Sequence, residues 1–434
     1  MMRCIYRHPA SLAGERRHPP SAHAGLPDDL RERAARVLRG NWREGVRDGV
    51  HYAYTCPAPR RYVHQWYWDS CFHAIAWSRI EPRRARAELR TLLRAAGEDG
   101  LVPHTVFWDR PARWRRAPLY ATLTVRGSGA TASTQTPLLA LAWERVAAAS
   151  PDAPGFAAEG LDALRRHYDW LARERDPDGD GLVSIVHPDE SGLDDSPKYA
   201  AAFGWMQHDR PGYFVMVERA RRRGYRSRAV IEAGDRHVED VLFNVAYALS
   251  LRALARLLGD RREAATYRAR AERTERALLE RCLDERTGLF LDLAGHAERP
   301  LGVSTWSSLT PLALTALPED VRRRLVEEHL LDPRRYFAPA GIPSVAMDEP
   351  AFRPGFDYFR TWRGPAWVNT AWLLLPAMAE LGYEAEAARI LDGVVRAIER
   401  EGFREYYDPR TGRGHGARDF GWSTLVVDLL ALAA

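Results

Sequence analysis

The sequence is poor in lysine, in cysteine and in long hydrophobic runs, and it shows little strand-like alternation. Lys198 is the only lysine among 63 basic residues, and 58 acidic residues are interleaved with the arginines, which leaves a net charge of +5. Because this interleaving leaves no basic stripe, we expect no nucleic-acid partner. The excess of arginine over lysine indicates a coding preference, since it extends over the whole chain.

The four cysteines lie far apart and show no Cys-x-x-Cys spacing, so we expect free thiols in a reducing cytoplasm. They are Cys4, Cys56, Cys71 and Cys282. No uninterrupted apolar run approaches the roughly 18 residues of a membrane span, and nothing resembles the core of an export signal. We therefore expect no membrane partner, a poorly ordered tail over 1–26 that is rich in arginine, histidine and proline, and a single domain over 27–434.

Helical periodicity dominates the chain and predicts an all-α protein. With 46% hydrophobic residues and 14 tryptophans, the chain holds enough apolar material for a large core. Apolar residues recur at helical spacing in twelve segments, and two of these segments are apolar nearly all round, as buried helices are. The predicted helices are 28–39, 69–81, 83–96, 133–149, 157–174, 238–258, 261–282, 305–316, 319–330, 363–382, 384–400 and 419–433.

The links between the predicted helices alternate between short and long without exception. The long links are 40–68, 97–132, 175–237, 283–304, 331–362 and 401–418. Alternate links of an up-and-down helical arrangement lie at opposite ends of the helices, so the long links share one face. Loops longer than about 12–15 residues are usually functional, so this face is predicted to hold the site. Six helical hairpins indicate an (α/α)6 toroid; a helical solenoid is the alternative, but the sequence shows no fixed repeat.

Two long links that lie half the chain apart carry the densest carboxylate chemistry. One contains "HPDESGLDDSPKY", residues 187–199, and the other contains "FREYYDPRTGRGHG" with Glu405 among aromatic residues. When the ring of helices closes, these two links face each other across its opening. Cleavage of a glycosidic bond requires two facing carboxyl groups, one protonated to serve the leaving oxygen and one ionised to activate water or attack the sugar. Crowded like charges and apolar walls raise the pKa of such an acid, which gives the acidic cluster a function.

Four motifs, "ESGLDDSP", "YWDS", "WRGPAWVN" and "FREYYDPRTGRGHG", resemble those of glycoside hydrolase family 63, and the resemblance runs from about residue 28 to the end. It implies an inverting hydrolase with Asp194 as general acid and Glu405 as general base, and no cofactor or metal. The short chain is most similar to bacterial members that hydrolyse the small anionic α-glycosides mannosylglycerate, our first expectation, and glucosylglycerate. It departs from the family pattern at Asp189, where we expect an aromatic residue, and at Thr361, where relatives carry tyrosine.

Aromatic and polar side chains of the long links are predicted to bind the sugar. Flat rings suit the apolar faces of pyranose rings, and carboxylates, amides and guanidinium groups suit the hydroxyls. For any single tryptophan core packing is the favoured interpretation, whereas the set on one face favours sugar binding. The predicted substrate-binding residues are Trp66, Trp68, Asp69, Gln135, Glu190, Gly192, Trp362, Arg363, Gly364 and Trp422.

An arginine-rich run, "ERARRRGYRSR" at 218–228, lies in the same long link as Asp194. Arginine binds carboxylates through two parallel hydrogen bonds, and glycerate carries a carboxylate. Arg226 and Arg228 are therefore candidates for a glycerate contact. A solvated charge run is the alternative interpretation.

Weaker interpretations also stay open at the level of the sequence. The turn "DPDGDG", residues 176–181, copies the first half of an EF-hand loop, but the twelfth position is His187, which favours a rigid turn over a calcium site. Scattered histidines could indicate a sugar epimerase, although no two have metal-ligand spacing; they are His104, His187, His208, His237 and His415. A neutral α-glucosidase or trehalase and a non-catalytic sugar-binding toroid are also compatible with the pattern. The sequence separates neither mannose from glucose nor one oligomeric state from another.

Overall fold

The protein is described as a computed structural model over residues 28–108, 129–204, 212–234 and 236–433. The predicted tail over 1–26, Cys4 and His208 lie outside these residues. The α-helices of the described part are α1 Asp28–Asn41, α2 Tyr67–Ser78, α3 Pro82–Arg94, α4 Leu139–Ala148, α5 Ala153–Glu159, α6 Leu161–Arg175, α7 Ala200–Phe203, α8 Gly212–Arg222, α9 Ser227–Glu232, α10 Val241–Leu258, α11 Glu263–Ala277, α12 Glu319–Arg324, α13 Val368–Glu380, α14 Glu384–Glu401 and α15 Val426–Ala433.

Shorter helices and strands complete the described part of the chain. The 3-10 helices are Pro188–Ser191, Pro197–Tyr199, Trp306–Ala313 and Gly421–Leu425, and π-helical turns follow α11 and α12 at Leu278–Cys282 and Leu325–Leu330. The strands are β1 Trp42–Arg47, β2 Val50–Thr55, β3 Gln65–Trp66, β4 Thr105–Val106, β5 Ser184–Ile185, β6 Val238–Glu239, β7 Leu283–Asp284, β8 Leu289–Phe290, β9 Asp292–Ala294, β10 Arg299–Leu301, β11 Arg404–Tyr407 and β12 Gly414–Arg418.

The protein is largely helical, as predicted, and each predicted helix overlaps a helical element. The helices differ from the prediction in three places, and the first two differences have local causes. The segment 305–316 forms a 3-10 helix with Pro311 inside it, because proline lacks the N–H that an α-helix interior needs. The segment 157–174 is divided at Gly160, where a Cβ atom would lie 2.5 Å from the ring of Trp143. The long link after α6 contains three helices that the periodicity did not predict, α7 to α9.

Inner helical elements pack side by side in a closed cycle. Helix α2 contacts α4, α4 contacts α10, and the 3-10 helix Trp306–Ala313 contacts both α10 and α13. The C-terminal segment 421–433 closes the cycle, because it contacts α13 on one side and α2 on the other. Helices α3, α11 and α14 pack against α2, α10 and α13, their preceding neighbours in the chain. Most buried hydrophobic side chains form one large cluster with members from Leu30 to Leu430, and a second, smaller cluster contains Tyr54, Cys56, Val106 and Trp108.

Neighbouring long links are hydrogen-bonded to one another at one end of this cycle. Short antiparallel pairs and bridges do most of this. Other described strands pair within one link, as β1 with β2, β7 with β8 and β11 with β12 do. The connections are β3 with β4, Thr136 Oγ1 to the Ser191 carbonyl, β6 with β9, the bridges of Thr305 with Val345 and of Ala366 with Tyr407, and Gly421 N to the Pro57 carbonyl. The long links therefore form one continuous surface at that end.

Helix α10 is a core helix despite its apolar composition. In the described residues it is the one helix long and apolar enough to cross a membrane, yet 78% of it is buried inside the protein.

The thiols of Cys56, Cys71 and Cys282 are also buried, and none of these three forms a disulfide. This confirms the prediction of free thiols for the cysteines within the described residues.

Candidate active site

Glu405 is buried in the last long link, 401–418. It lies on β11, and its side chain is 3% exposed. The Tyr62 hydroxyl donates to its Oε1 at 2.9 Å, while Arg61 Nη1 and the Ala417 backbone N–H donate to Oε2 at 3.1 and 2.7 Å. Burial raises the pKa of Glu405 above its ordinary value, and the Arg61 guanidinium opposes this rise. The site thus holds a buried carboxylate whose ionised form is supported by three donors.

The β11–β12 hairpin directs Glu405 into the site. The register of the pairing shifts between Arg404 and Tyr406, which is typical of a β-bulge. This shift changes the direction of the Glu405 side chain, which lies between them. Gly416 lies opposite with φ +66°, and a Cβ atom there would lie 2.4 Å from Glu405 Oε2. The backbone of β12 can therefore approach the carboxylate closely only because residue 416 is glycine.

Asp194 lies in the loop between the 3-10 helices Pro188–Ser191 and Pro197–Tyr199, and it is half-buried. Burial raises the pKa of the Tyr62 hydroxyl, and the negative charges of Glu405 and Asp194 both add to this rise. The charges of both carboxyl groups therefore act on the same tyrosine hydroxyl. Asp195, by contrast, is 1% exposed and accepts a hydrogen bond from the Trp362 backbone N–H at 3.3 Å. The greater exposure of Asp194 favours it over Asp195 as the proton donor.

Buried tryptophans form a wall beside the carboxyl groups. The ring of Trp68 lies 5.1 Å from Trp422 and 6.1 Å from Trp362, and Trp362 stacks on Trp367 at 4.1 Å. Trp66 meets the ring of Tyr62 edge-on at 5.8 Å. Three of the predicted binding residues, Trp68, Trp362 and Trp422, are thus brought together, and Trp66 joins them through Tyr62.

Several buried donors of this wall have no hydrogen-bond partner in the described part of the chain. They are the indole nitrogens of Trp306, Trp367 and Trp422 and the side-chain amide of Asn369, all less than 5% exposed. Buried polar groups are nearly always hydrogen-bonded, so a group of unsatisfied donors in one region needs an explanation.

Gly192 and Gln135 hold Trp68 in place. Gly192 has φ +76°, and a Cβ atom there would lie 2.4 Å from the Trp68 ring. Gln135 Oε1 accepts a hydrogen bond from the Trp68 backbone N–H at 3.0 Å. Gly364, with φ +136°, donates its N–H to Ser344 Oγ at 2.9 Å, next to Trp362 and Arg363. These contacts position the tryptophan wall.

Asp69, in the first turn of α2, is a second buried carboxyl group of the site. It is 5% exposed, and burial, together with the charges of Glu405 and Glu88, raises its pKa to about 7, although His73 opposes this. Asp69 therefore lies in the field of Glu405, and its predicted contact with the sugar stays a prediction.

Glu190 is a correction to the sequence analysis. It is fully buried, and Arg175 donates to both of its oxygens at 2.6 Å, with a further bond from the Val186 N–H at 2.9 Å. Burial alone would raise its pKa, but the Arg175 guanidinium outweighs burial and lowers it. Because protein donors occupy both oxygens, the structure gives Glu190 a structural role in place of the predicted sugar contact.

Arg226 and Arg228 lie at the start of α9, which packs against α6, and both side chains are exposed. Arg228 forms an ion pair with Glu232 at 2.7 Å across one helical turn. Their contact with glycerate stays a prediction. Arg363, also predicted to bind substrate, lies with its Nε 3.9 Å from Asp195 Oδ2.

The acidic turn "DPDGDG" brings three carboxylates together. Oxygens of Asp176, Asp178 and Asp180 lie within 4.8 Å of one another, a spacing that could hold a cation. Arg273 lies 3.3 Å from Asp176, and Arg281 lies 3.2 Å from Asp180, so two of the three charges are partly neutralised by the protein. The rigid-turn interpretation stays a prediction.

The sequence analysis missed Arg61 and Tyr62, which both contact Glu405. They lie five and four residues before the aromatic run that begins at Trp66, in "PRRYVHQWYW". An arginine next to an aromatic-rich loop was the available signal, but only the tertiary structure brings it to a carboxylate 344 residues away.

The comparisons with known proteins agree with this geometry. The family model described as mannosylglycerate hydrolase MGH1-like glycoside hydrolase domain matches residues 62–423. The chain belongs to this family. It is therefore a glycoside hydrolase, and it shares glycoside hydrolase family 63 with the Thermus thermophilus enzyme described below.

Relatives match over nearly the whole chain. A mannosylglycerate hydrolase of Rubrobacter radiotolerans is 33% identical over 93% of this chain and 97% of its own length. A glucosylglycerate hydrolase of Mycolicibacterium hassiacum is 30% identical over 94% of this chain and 98% of its own length. The crystal structure of the family 63 mannosylglycerate hydrolase of Thermus thermophilus in complex with Tris and D-glycerate superposes with a TM-score of 0.79, at 30% identity over 92% of this chain and 98% of that one.

The Arg61 contact predicts a shift in pH dependence. A carboxylate that activates water must be ionised, so activity falls as the pH drops through its pKa. Replacing Arg61 with Met removes the opposing cation, so the Glu405 pKa should rise further and the acidic limb of kcat/KM should move up by about one pH unit. Arg60→Met, at the exposed neighbour, is the matched control. Identical pH profiles for both variants would contradict the assignment.

The close approach of Gly416 predicts a specific loss of turnover. Gly416→Ala combines a strained positive φ with a clash against Glu405 Oε2, so kcat should fall about a hundredfold. Gly259→Ala carries a similar strain, at φ +61°, but meets no atom within 4 Å. Both variants should lower the melting temperature, and only Gly416→Ala should lower kcat. Equal kcat values for the two would show that the clash does not reach the carboxylate.

Proposed function

We propose that the protein is an inverting hydrolase that cleaves mannosylglycerate to mannose and glycerate. The observation that carries this proposal is the buried Glu405 carboxylate, which accepts from Arg61, Tyr62 and the Ala417 N–H beside the tryptophan wall, with the charge of Asp194 acting on the same Tyr62 hydroxyl. The relatives named mannosylglycerate hydrolase support the choice of substrate. Glucosylglycerate is the alternative, because a relative named for that activity is nearly as similar.

The two carboxyl groups take different roles because their surroundings differ. Glu405 receives three hydrogen bonds, one of them from a cation, and such bonds favour the ionised form that a general base requires. Asp194 lies in the more open segment 190–198, called the acid loop, where it would give its proton to the glycosidic oxygen as the bond to C1 breaks. Glu405 would take a proton from the water that attacks C1 from the opposite side.

We also propose a closed (α/α)6 toroid as the architecture and the cytoplasm as the location. The cycle of inner elements, in which segment 421–433 packs on both α13 and α2, supports the toroid. The buried thiols of Cys71 and Cys282, neither of which forms a disulfide, support a reducing compartment. In this arrangement the long links surround the mouth of the toroid, and both carboxyl groups face its axis.

A substrate panel tests the activity. The purified protein is offered mannosylglycerate, glucosylglycerate and trehalose, and released sugar is measured; we expect the highest kcat/KM with mannosylglycerate. Asp194→Ala and Glu405→Ala should each lower turnover by at least about a thousandfold, since each removes one half of the acid–base pair. Asp195→Asn should be milder. An inactive Asp195→Asn beside an active Asp194→Asn would move the acid by one residue.

The stereochemistry of the product tests the role of Glu405. Room for a water molecule requires about 6.5–9.5 Å between the two carboxyl groups, whereas a nucleophile would lie closer. Proton NMR of the first turnovers should show β-mannose released from the α-linked substrate. An initial α-anomer would make Glu405 a nucleophile and remove the inverting mechanism.

A further inference from the structure

Lys198, the only lysine of the chain, is buried in the acid loop. Its side chain is 1% exposed, and its Nζ lies 2.6 Å from Asp240 Oδ2, 3.0 Å from Asp292 Oδ2 and 2.8 Å from Ser307 Oγ. All three partners are themselves buried. An ammonium group has three N–H bonds, so these three acceptors satisfy it completely.

The choice of lysine is informative in a chain that otherwise uses arginine. A guanidinium group is larger and planar, with five N–H donors, and it would leave buried donors without acceptors in a site built for three. Unsatisfied buried donors destabilise a fold. Lysine therefore takes the place of the otherwise general arginine at position 198, where the surroundings fit only a compact cation.

The Lys198 cluster joins the acid loop to three other elements. Asp240 caps the N-terminus of α10 by accepting from Phe243 N at 2.8 Å, and it also accepts from the Tyr199 hydroxyl at 2.6 Å. Asp292, on β9, accepts from Val241 N at 2.7 Å. Ser307 lies in the 3-10 helix Trp306–Ala313, whose first residue stacks near Trp362 of the tryptophan wall. The cluster is thus a junction between the acid loop and the rigid inner elements.

Asp194 lies midway between two buried ion pairs. Glu190, four residues before it, is bound to Arg175, and Lys198, four residues after it, is bound to Asp240 and Asp292. The loop between these two pairs is therefore fixed at both ends to helices α6 and α10. Glu405 takes its donors from different elements, namely Arg61, Tyr62 and β12.

We propose that Lys198 is a positioning residue for the general acid, which holds the acid loop so that the Asp194 carboxyl group reaches the leaving oxygen. This inference rests on the proposed function. Proton transfer requires a separation of about 2.6–3.2 Å, and a misplacement of about 1 Å can lower the rate about a hundredfold. Loss of Lys198 should impair protonation of the leaving group and leave water activation by Glu405 intact.

A substrate that needs little protonation separates these two steps. In α-mannosyl fluoride the C1–F bond breaks and fluoride leaves with its electron pair, while water forms the new C1–O bond and Glu405 accepts the water proton. General acid assistance contributes little, because fluoride is a good leaving group. Hydrolysis of the fluoride therefore reports on the base, the water and the sugar subsite, whereas hydrolysis of mannosylglycerate reports on the acid as well.

The test compares Lys198→Met with the wild type on both substrates. We expect kcat for mannosylglycerate to fall about a hundredfold with KM changed less than about threefold, and kcat for α-mannosyl fluoride to stay within about threefold. Arg252→Met, which breaks an ion pair with Glu275 between α10 and α11, is the matched control and should affect neither substrate. If the wild type prefers glucosylglycerate, the same comparison uses that substrate and α-glucosyl fluoride.

A second variant guards against misfolding. Lys198→Met leaves two buried carboxylates without their cation, whereas Lys198→Met with Asp292→Asn leaves only Asp240, which keeps the bonds from Tyr199 and Phe243 N. Circular dichroism and thermal unfolding verify that this double variant folds, and the same selective loss is expected. Equal losses on both substrates in the folded double variant, or no loss on either, would overturn the proposal. A wild type inactive on every glycoside and fluoride would instead contradict the proposed function.

Discussion

The site depends on keeping a carboxylate ionised where water is largely excluded. Burial raises the pKa of Glu405, and an isolated buried carboxyl group would stay protonated and could not activate water. Arg61, Tyr62 and the Ala417 N–H together provide a cation and three donors in place of the lost hydration. These donors come from links at opposite ends of the sequence. This set of donors to Glu405 therefore exists only when the first and last long links meet.

The need to keep the Glu405 carboxylate ionised also explains the shape of the surrounding loops. Hydrogen bonds weaken steeply with distance, so the backbone of β12 must approach Glu405 closely, which requires glycine at position 416. The tryptophan wall needs an equally close approach, and Gly192 provides it beneath Trp68. In both places the positive φ of glycine serves contact between a loop backbone and a functional side chain.

The sequence predicted the helices, the shared face of the long links and the two acidic motifs, because these follow from local periodicity and from residue types. It did not predict the donors to Glu405, since their partnership with the base arises from closure between distant links. Glu190 was misjudged for a related reason. An acidic residue beside the catalytic motif looks like a ligand for sugar, and only the buried Arg175 reveals that both of its oxygens are occupied.

The protein thus uses its buried carboxylates in two ways. Glu190 and Asp240 each have a buried cation as partner, so their charge serves to fix the ends of the acid loop. Glu405 and Asp69 lie where burial raises the pKa, and their partners only partly oppose that rise. A fully neutralised carboxylate has no reason to exchange protons near neutral pH, whereas a partly neutralised one can do so. The pKa of Glu190 is lowered, whereas those of Glu405 and Asp69 are raised, so the chain distinguishes a carboxylate that fixes the acid loop from carboxylates that can exchange protons.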